Sequence, residues 1–129
     1  MLNSTSVFNQ ASPPARHLAA DSPIYVAGEV TAKLGAEEVV WSHLNILMEL
    51  TRYDRGNLRY DIFRDAGDPG HFLVHQTWKS PQRLRTHLQS DPVAKSIRAI
   101  SGAAQVPLQL TLCDVRRGHA KPPKTDPQR

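Results

Sequence analysis

The sequence predicts an α+β domain, with elements in the order β-α-β-β-α-β forming an antiparallel sheet with helices on one face. Three observations predict it. Four stretches alternate apolar and polar residues at the period of a half-buried strand. Stretches with apolar residues at helical spacing lie between the first and second of them and between the third and fourth. Breaks rich in Gly, Pro, Ser and Asp separate these stretches. The length of 129 residues suits one domain and can bury a core without disulfide or metal staples.

The first strand is Ile24 to Lys33, with Ile24, Val26, Gly28, Val30 and Ala32 on one face. Leu34-Gly35 breaks it. A helix follows from Ala36 to Tyr53, with Val40, Leu44, Leu47 and Thr51 on its apolar face and Val39, His43, Ile46 and Leu50 flanking them. Glu37 and Glu38 in the first turn and Arg52 in the last suit the helix macrodipole, and Gly56 is the expected stop. Asn57 to Asp65 is the second strand, with Leu58, Tyr60 and Ile62 pointing one way and Arg59, Asp61 and Phe63 the other. Ala66 to Gly70 is a turn, and His71 to Lys79 closes a hairpin as the third strand. Ser80-Pro81 caps a helix running to Gln89, and Ser90-Asp91-Pro92 restarts one carrying Val93, Ile97 and Ile100, with Gly102 as its stop. The last strand is Val106 to Val115. Pro107 confines it to an edge, or itself to the strand start.

This order, with the second helix broken in two, is the ferredoxin-like split βαβ unit. Helices on one face leave the other uncovered. That open face carries Tyr25, Phe63, Leu73 and Val115, so a second copy packing sheet to sheet is expected.

The ends differ from the middle. Residues 1–23 and 116–129 have no apolar period and are expected to be flexible tails. The formal net charge of +4 resides in the C-terminal stretch, where Arg116, Arg117, Lys121, Lys124 and Arg129 face only Asp126. From Ile24 to Val115, ten Lys and Arg balance ten Asp and Glu. A neutral domain argues against nucleic-acid binding, and the basic end reads as a solubilising tail. Cys113 is the sole cysteine, so neither an intrachain disulfide nor a cysteine metal cluster can form. No stretch is apolar enough for a membrane span or a signal peptide, and the cytoplasm is the expected location.

Residues Thr51 to Asp91 resemble the antibiotic biosynthesis monooxygenase family. The resemblance rests on Thr51-Arg52 with an acid, Asp54, two residues before Gly56; on Leu58 and Tyr60; on Asp68-Pro69; on Trp78-Lys79-Ser80; and on His87 in the following helix. It extends over about residues 24–115. It implies a homodimeric α+β barrel with a pocket between helices and sheet in each subunit. Members include cofactor-independent monooxygenases of polyketide quinones, anthrones and quinols, haem-degrading enzymes, a sugar-phosphate isomerase and proteins of no known reaction. Two positions depart from the pattern: Gln76 stands where a glutamate is common, and Asp54 replaces the usual glutamate. Of the haem-degrading pattern only Trp78 is present. Gly28 stands where that pattern has asparagine, and residues 92–101 hold no histidine.

The candidate site follows from strand parity and the resemblance together. Phe72, Gln76 and Trp78 alternate onto the helix-facing side, as does Tyr60 on the strand beside them. Trp78 would stack on a flat aromatic substrate, while Gln76 and Tyr60 would hold its oxygen atoms. Against this stands the plainer reading that all are core residues. His43 and His87 are the candidate proton carriers, each with a structural role as its alternative. His75 falls on the open face, and no role is assigned to His17, His71 or His119. No metal-site spacing, Gly-rich phosphate loop, dinucleotide fingerprint or nucleophile elbow appears, so no cofactor or metal is expected. The leading expectation is a cofactor-independent monooxygenase of an aromatic polyketide, anthrone or quinol. The alternatives are a non-catalytic ligand-binding or stress-response barrel and a sugar-phosphate isomerase. For the isomerase, Arg64 is the only helix-side strand cation.

Overall fold

A computed structural model describes residues 21–115. The expected tails lie outside the described residues, apart from residues 21–23. The elements are β1 (Ile24–Ala32), α1 (Glu37–Arg52), β2 (Asn57–Arg64), β3 (His71–Trp78), α2 (Pro81–Gln89), α3 (Asp91–Ala103) and β4 (Ala104–Asp114). The strands form one antiparallel sheet in the order β2-β3-β1-β4. The predicted α+β class and element order are present, with the helices on one face.

Alternation sets the faces. Every second residue of β3 is buried, and β1 keeps the same rhythm. Ile24, Val26 and Val30 of β1, Phe72, Val74 and Trp78 of β3, and Leu108, Leu110 and Leu112 of β4 form the floor of the core. Val40, Leu44 and Leu47 of α1, Leu84 and Leu88 of α2, and Val93, Ile97 and Ile100 of α3 form its roof. Burying each such side chain contributes about 1.5–3 kcal/mol before the entropy of ordering is counted.

Four local expectations change. Gly56 does not end α1, which finishes at Tyr53 as its C-cap, and among the described residues only Gly35 has positive φ, at 87°. What Gly56 supplies is closeness: a Cβ there would lie 2.6 Å from Cβ of Arg83, so its absence lets α2 approach the turn after α1. Gly102 does not stop α3 but lies inside it. The last carbonyls of α3 have partners already, since the Lys33 backbone N–H donates to Ala103 and its Nζ to Gly102, and no left-handed cap is needed. β4 therefore starts at Ala104 rather than Val106. Leu58 leaves the face of Tyr60 and Ile62, because the register with β3 shifts between Asn57 and Arg59, and it is 54% exposed. Pro107 sits in an edge strand, where the pairing of β4 with β1 is irregular.

Candidate functional site

The helix-facing side of β3 carries Phe72, Val74, Gln76 and Trp78, all buried. Antiparallel register sets Tyr60 of β2 opposite Gln76, and Arg64 opposite Phe72. Three of the four expected substrate-binding residues thus lie on one strand face, and Tyr60 lies beside them. Trp78 and Phe72 are wholly shielded from solvent, as is Leu44 of α1.

Trp78 is bound by polar contacts inside this apolar layer. Its indole N–H donates to Oε1 of Gln76 at 2.8 Å. The imidazole of His87 lies against the indole, with ring centroids 4.7 Å apart. His87 comes from the last turn of α2, whose start is fixed as predicted: Ser80 Oγ accepts from the Arg83 N–H, and Pro81 occupies the first turn. His87 Nδ1 lies 3.1 Å from Oδ2 of Asp54, and its Nε2 lies 3.1 Å from Oγ1 of Thr51. A carboxylate only accepts, so Nδ1 carries the proton. The other oxygen of Asp54 accepts from the Gly56 N–H at 2.8 Å.

Burial lowers the His87 pKa below the usual histidine value, and Asp54 opposes this without reversing it. Nε2 of the neutral ring is an acceptor, and the Thr51 hydroxyl is the group within its reach. Thr51 Oγ1 also lies 2.6 Å from the Leu47 carbonyl, and its single proton serves one acceptor at a time. Burial pushes the Tyr60 hydroxyl well above its ordinary range, so it stays protonated and can donate.

His43 does not join this cluster. It lies on α1 about 200° around the helix from Trp41. Its Nδ1 is buried and has no hydrogen-bond partner among the described residues.

Two residues were given too little weight by sequence. Trp41 stacks on Phe72 at 5.8 Å, and the guanidinium of Arg64 lies 4.9 Å from both ring centroids. Arg64 also pairs with Glu38 at 3.2 Å. Trp41 sits outside the apolar stripe of α1, so helical spacing did not select it. His71, which had no assigned role, opens β3 as expected and bridges two acids on the open face, with Nε2 2.7 Å from Glu29 and Nδ1 2.9 Å from Asp65.

Two depressions are lined by described residues and bear on the site. A shallow groove of about 730 Å³ runs along the outer side of α1 past Trp41, Asn45, Ile46, Leu50 and Tyr53. A smaller one of about 390 Å³ lies on the open sheet face among Tyr25, Arg59, Asp61, Phe63, His75 and Thr77. There the His75 ring packs edge-on between Tyr25 at 5.6 Å and Phe63 at 5.3 Å. Neither depression is lined by Phe72, Gln76, Trp78 or His87.

The family profile described as antibiotic biosynthesis monooxygenase matches residues 23–99. The chain belongs to that family. A crystal structure described as an antibiotic biosynthesis monooxygenase is 26% identical, with a TM-score of 0.68 over 73% of this chain and 99% of that one. A Mycobacterium tuberculosis protein is 18% identical, with a TM-score of 0.70 over 77% and 100% of the two chains. A cofactor-independent oxygenase from Streptomyces nogalater is 13% identical, with a TM-score of 0.66 over 78% and 99%. At these last two identities the likeness is one of fold. An uncharacterised protein of Synechocystis is 28% identical over 88 residues, which are 67% of this chain; the match spans 60% of that relative's length. Among the described residues no helix is long and apolar enough to cross a membrane. In this family the asparagine of the haem-degrading pattern would fall at Gly28. There a Cβ would lie 3.1 Å from Leu110 Cδ2 and 3.3 Å from the Val74 carbonyl oxygen, so a side chain at this position would require its neighbours to shift.

Proposed function

We propose that this protein is a cofactor-independent monooxygenase of an electron-rich aromatic, such as an anthrone, a quinol or an aromatic polyketide. Beyond family membership, the observation that carries this reading is the polar chain on the helix side of β3. Gln76, Trp78, His87 and Asp54 are linked in series beside a tyrosine that keeps its proton. An apolar core does not need such a chain for stability, since each polar group placed there must be matched to avoid a desolvation cost.

The chemistry needs no outside reductant. An anthrone loses a proton, and its anion gives electrons to O₂. A carbon–oxygen bond forms as a hydroperoxide, which loses water to leave the quinone, so one O₂ yields one quinone oxygen and one water. The protein's part is to favour the anion and exclude bulk water. Tyr60 and the Gln76 amide supply donors for the oxyanion. The entry route in this reading runs over the edge strand β2, where Trp41, Tyr60 and Ile62 are only partly buried. His43 is not the proton acceptor, because it lies about 200° around α1 from Trp41 and this route; the proton of the anthrone or quinol is released to solvent as its anion is bound. His87 is not the acceptor either, because both of its nitrogens are taken. We also propose a homodimer formed through the open sheet face, which would cover Tyr25, Phe63, Leu73 and Val115.

One observation favours a second reading, a non-catalytic ligand-binding barrel. Phe72, Trp78 and Leu44 admit no solvent, so the side chains themselves fill the space between β3 and α1. Sugar-phosphate chemistry is weaker, because Glu38 already neutralises Arg64. Oxygen consumption with anthrones, naphthols and quinols, without added flavin or metal, tests the proposal. Uptake above the no-protein rate, lowered in Tyr60→Phe and Gln76→Leu, upholds it. Tight binding of these compounds without uptake transfers the assignment to the binding barrel.

A further inference from the structure

Four elements meet at His87. The ring comes from α2, the Asp54 carboxylate from the turn after α1, the Thr51 hydroxyl from the last turn of α1, and the Trp78 indole from the end of β3. Gly56 makes the meeting possible by letting Arg83, one turn before His87, press against its backbone. The imidazole is thus held on both nitrogens and on its face.

The consequence passes down the strand. An indole N–H can only donate, and that of Trp78 goes to Oε1 of Gln76. An amide has one oxygen and one NH₂. With the oxygen turned to the indole, Gln76 has its NH₂ left to offer elsewhere. A glutamate in the same place would take the indole proton on one oxygen and offer a second acceptor. The residue at position 76 therefore decides whether the site presents a donor or an acceptor.

We propose that His87 is a positioning residue: by clamping the Trp78 indole it holds the Gln76 amide so that only its NH₂ is offered, which selects ligands bearing a hydrogen-bond acceptor, a quinone carbonyl or a phenolate. The ligand half of this inference rests on the site reading given above; the clamp does not.

Two readouts separate the halves. The first needs no ligand. In ¹H–¹⁵N spectra of the full chain, Trp78→Phe assigns the Trp78 indole signal against that of Trp41. Loss of the Gln76 acceptor in Gln76→Leu is expected to speed solvent exchange of that indole proton about tenfold, the size of one hydrogen bond. His87→Ala, which leaves both partners of that bond in place, is expected to do the same. A folded His87→Ala protein with unchanged indole shift and exchange would overturn the clamp. Should that variant not fold, His87→Phe keeps the ring and loses both polar ties, and an unmoved indole signal there overturns it equally. The second readout is binding of 1,4-naphthoquinone and 1-naphthol. The wild type is expected to prefer the quinone, and Gln76→Glu to reverse the preference. An indole response with neither probe bound keeps the clamp and removes the site reading. Both probes bound with an unmoved indole keeps the site reading and removes the clamp.

Discussion

His71 and His87 lie on opposite faces of the sheet, and each has both ring nitrogens engaged by the protein. Their pKa values nevertheless move apart. On the open face, hydrogen bonds to Asp65 and then Glu29 raise the His71 pKa above the usual value, against a smaller desolvation effect. On the helix side, burial dominates and lowers the His87 pKa although Asp54 is in contact. The number of hydrogen bonds is the same, so counting bonds does not explain the difference. Two things differ: one face is dry, and one histidine has a hydroxyl where the other has a second carboxylate. The buried surroundings of His87 favour the neutral imidazole, while the two carboxylates around His71 favour the charged one.

The largest test of that contrast is Trp78→Ala against Phe63→Ala. Removing a wholly buried indole should cost about 3–5 kcal/mol in urea unfolding. Phe63, 46% exposed on the open face, should cost about 1 kcal/mol or less in the isolated chain. Equal losses would mean that the open face is as well covered as the other. A protein-concentration dependence of the Phe63→Ala midpoint would show what covers it.

Next in size is Gly56→Ala. The new methyl would meet Arg83 Cβ at 2.6 Å, and moving α2 away to relieve it should cost about 1–3 kcal/mol by thermal unfolding. It should also loosen the contact between His87 and Trp78.

The pH dependence comes third and runs in opposite directions for the two histidines. His87 has a folded-state pKa below the unfolded value, so its contribution is complete above about pH 6.5 and is lost as pH falls through the lowered value. His71 has a raised folded-state pKa, so its contribution is complete below about pH 6.5 and is lost as pH rises through the raised value. Urea midpoints measured from pH 5 to 8 in His87→Phe and His71→Ala should each flatten one flank of the wild-type profile. The effect of His71→Ala is the smallest of the set, about 1 kcal/mol or less, because its acidic partners are exposed. Both variants flattening the same flank would refute the contrast.

Which of these features the sequence announced depends on how local each one is. Strand alternation assigns Phe72, Gln76 and Trp78 to the helix side because the period is two and one face must be apolar. The same alternation cannot say whether a helix leaves a space above them. The acid at 54 and the histidine at 87 were legible as family positions, but not as contacting residues, since 33 positions separate them. Gly56 looked like a helix stop because glycine after a basic last turn usually is one. Its actual use depends on α2, which no local pattern reveals. Trp41 lay off the apolar stripe, and only its neighbours Phe72 and Arg64 show what it does. His71 was legible as the first residue of β3, but not as the partner of Glu29, 42 positions away on another strand.

The sheet order has a consequence for how the chain is made. β1 lies between β3 and β4, and Ile24 near the start of the described chain pairs with Asp114 near its end. On the ribosome, the hairpin of β2 and β3 can form from neighbouring residues. β1, by contrast, has one exposed edge until the final strand has emerged. Folding is therefore completed only after nearly the whole domain has been synthesised, and a truncation before Ala104 would leave a central strand open to pairing with other nascent chains.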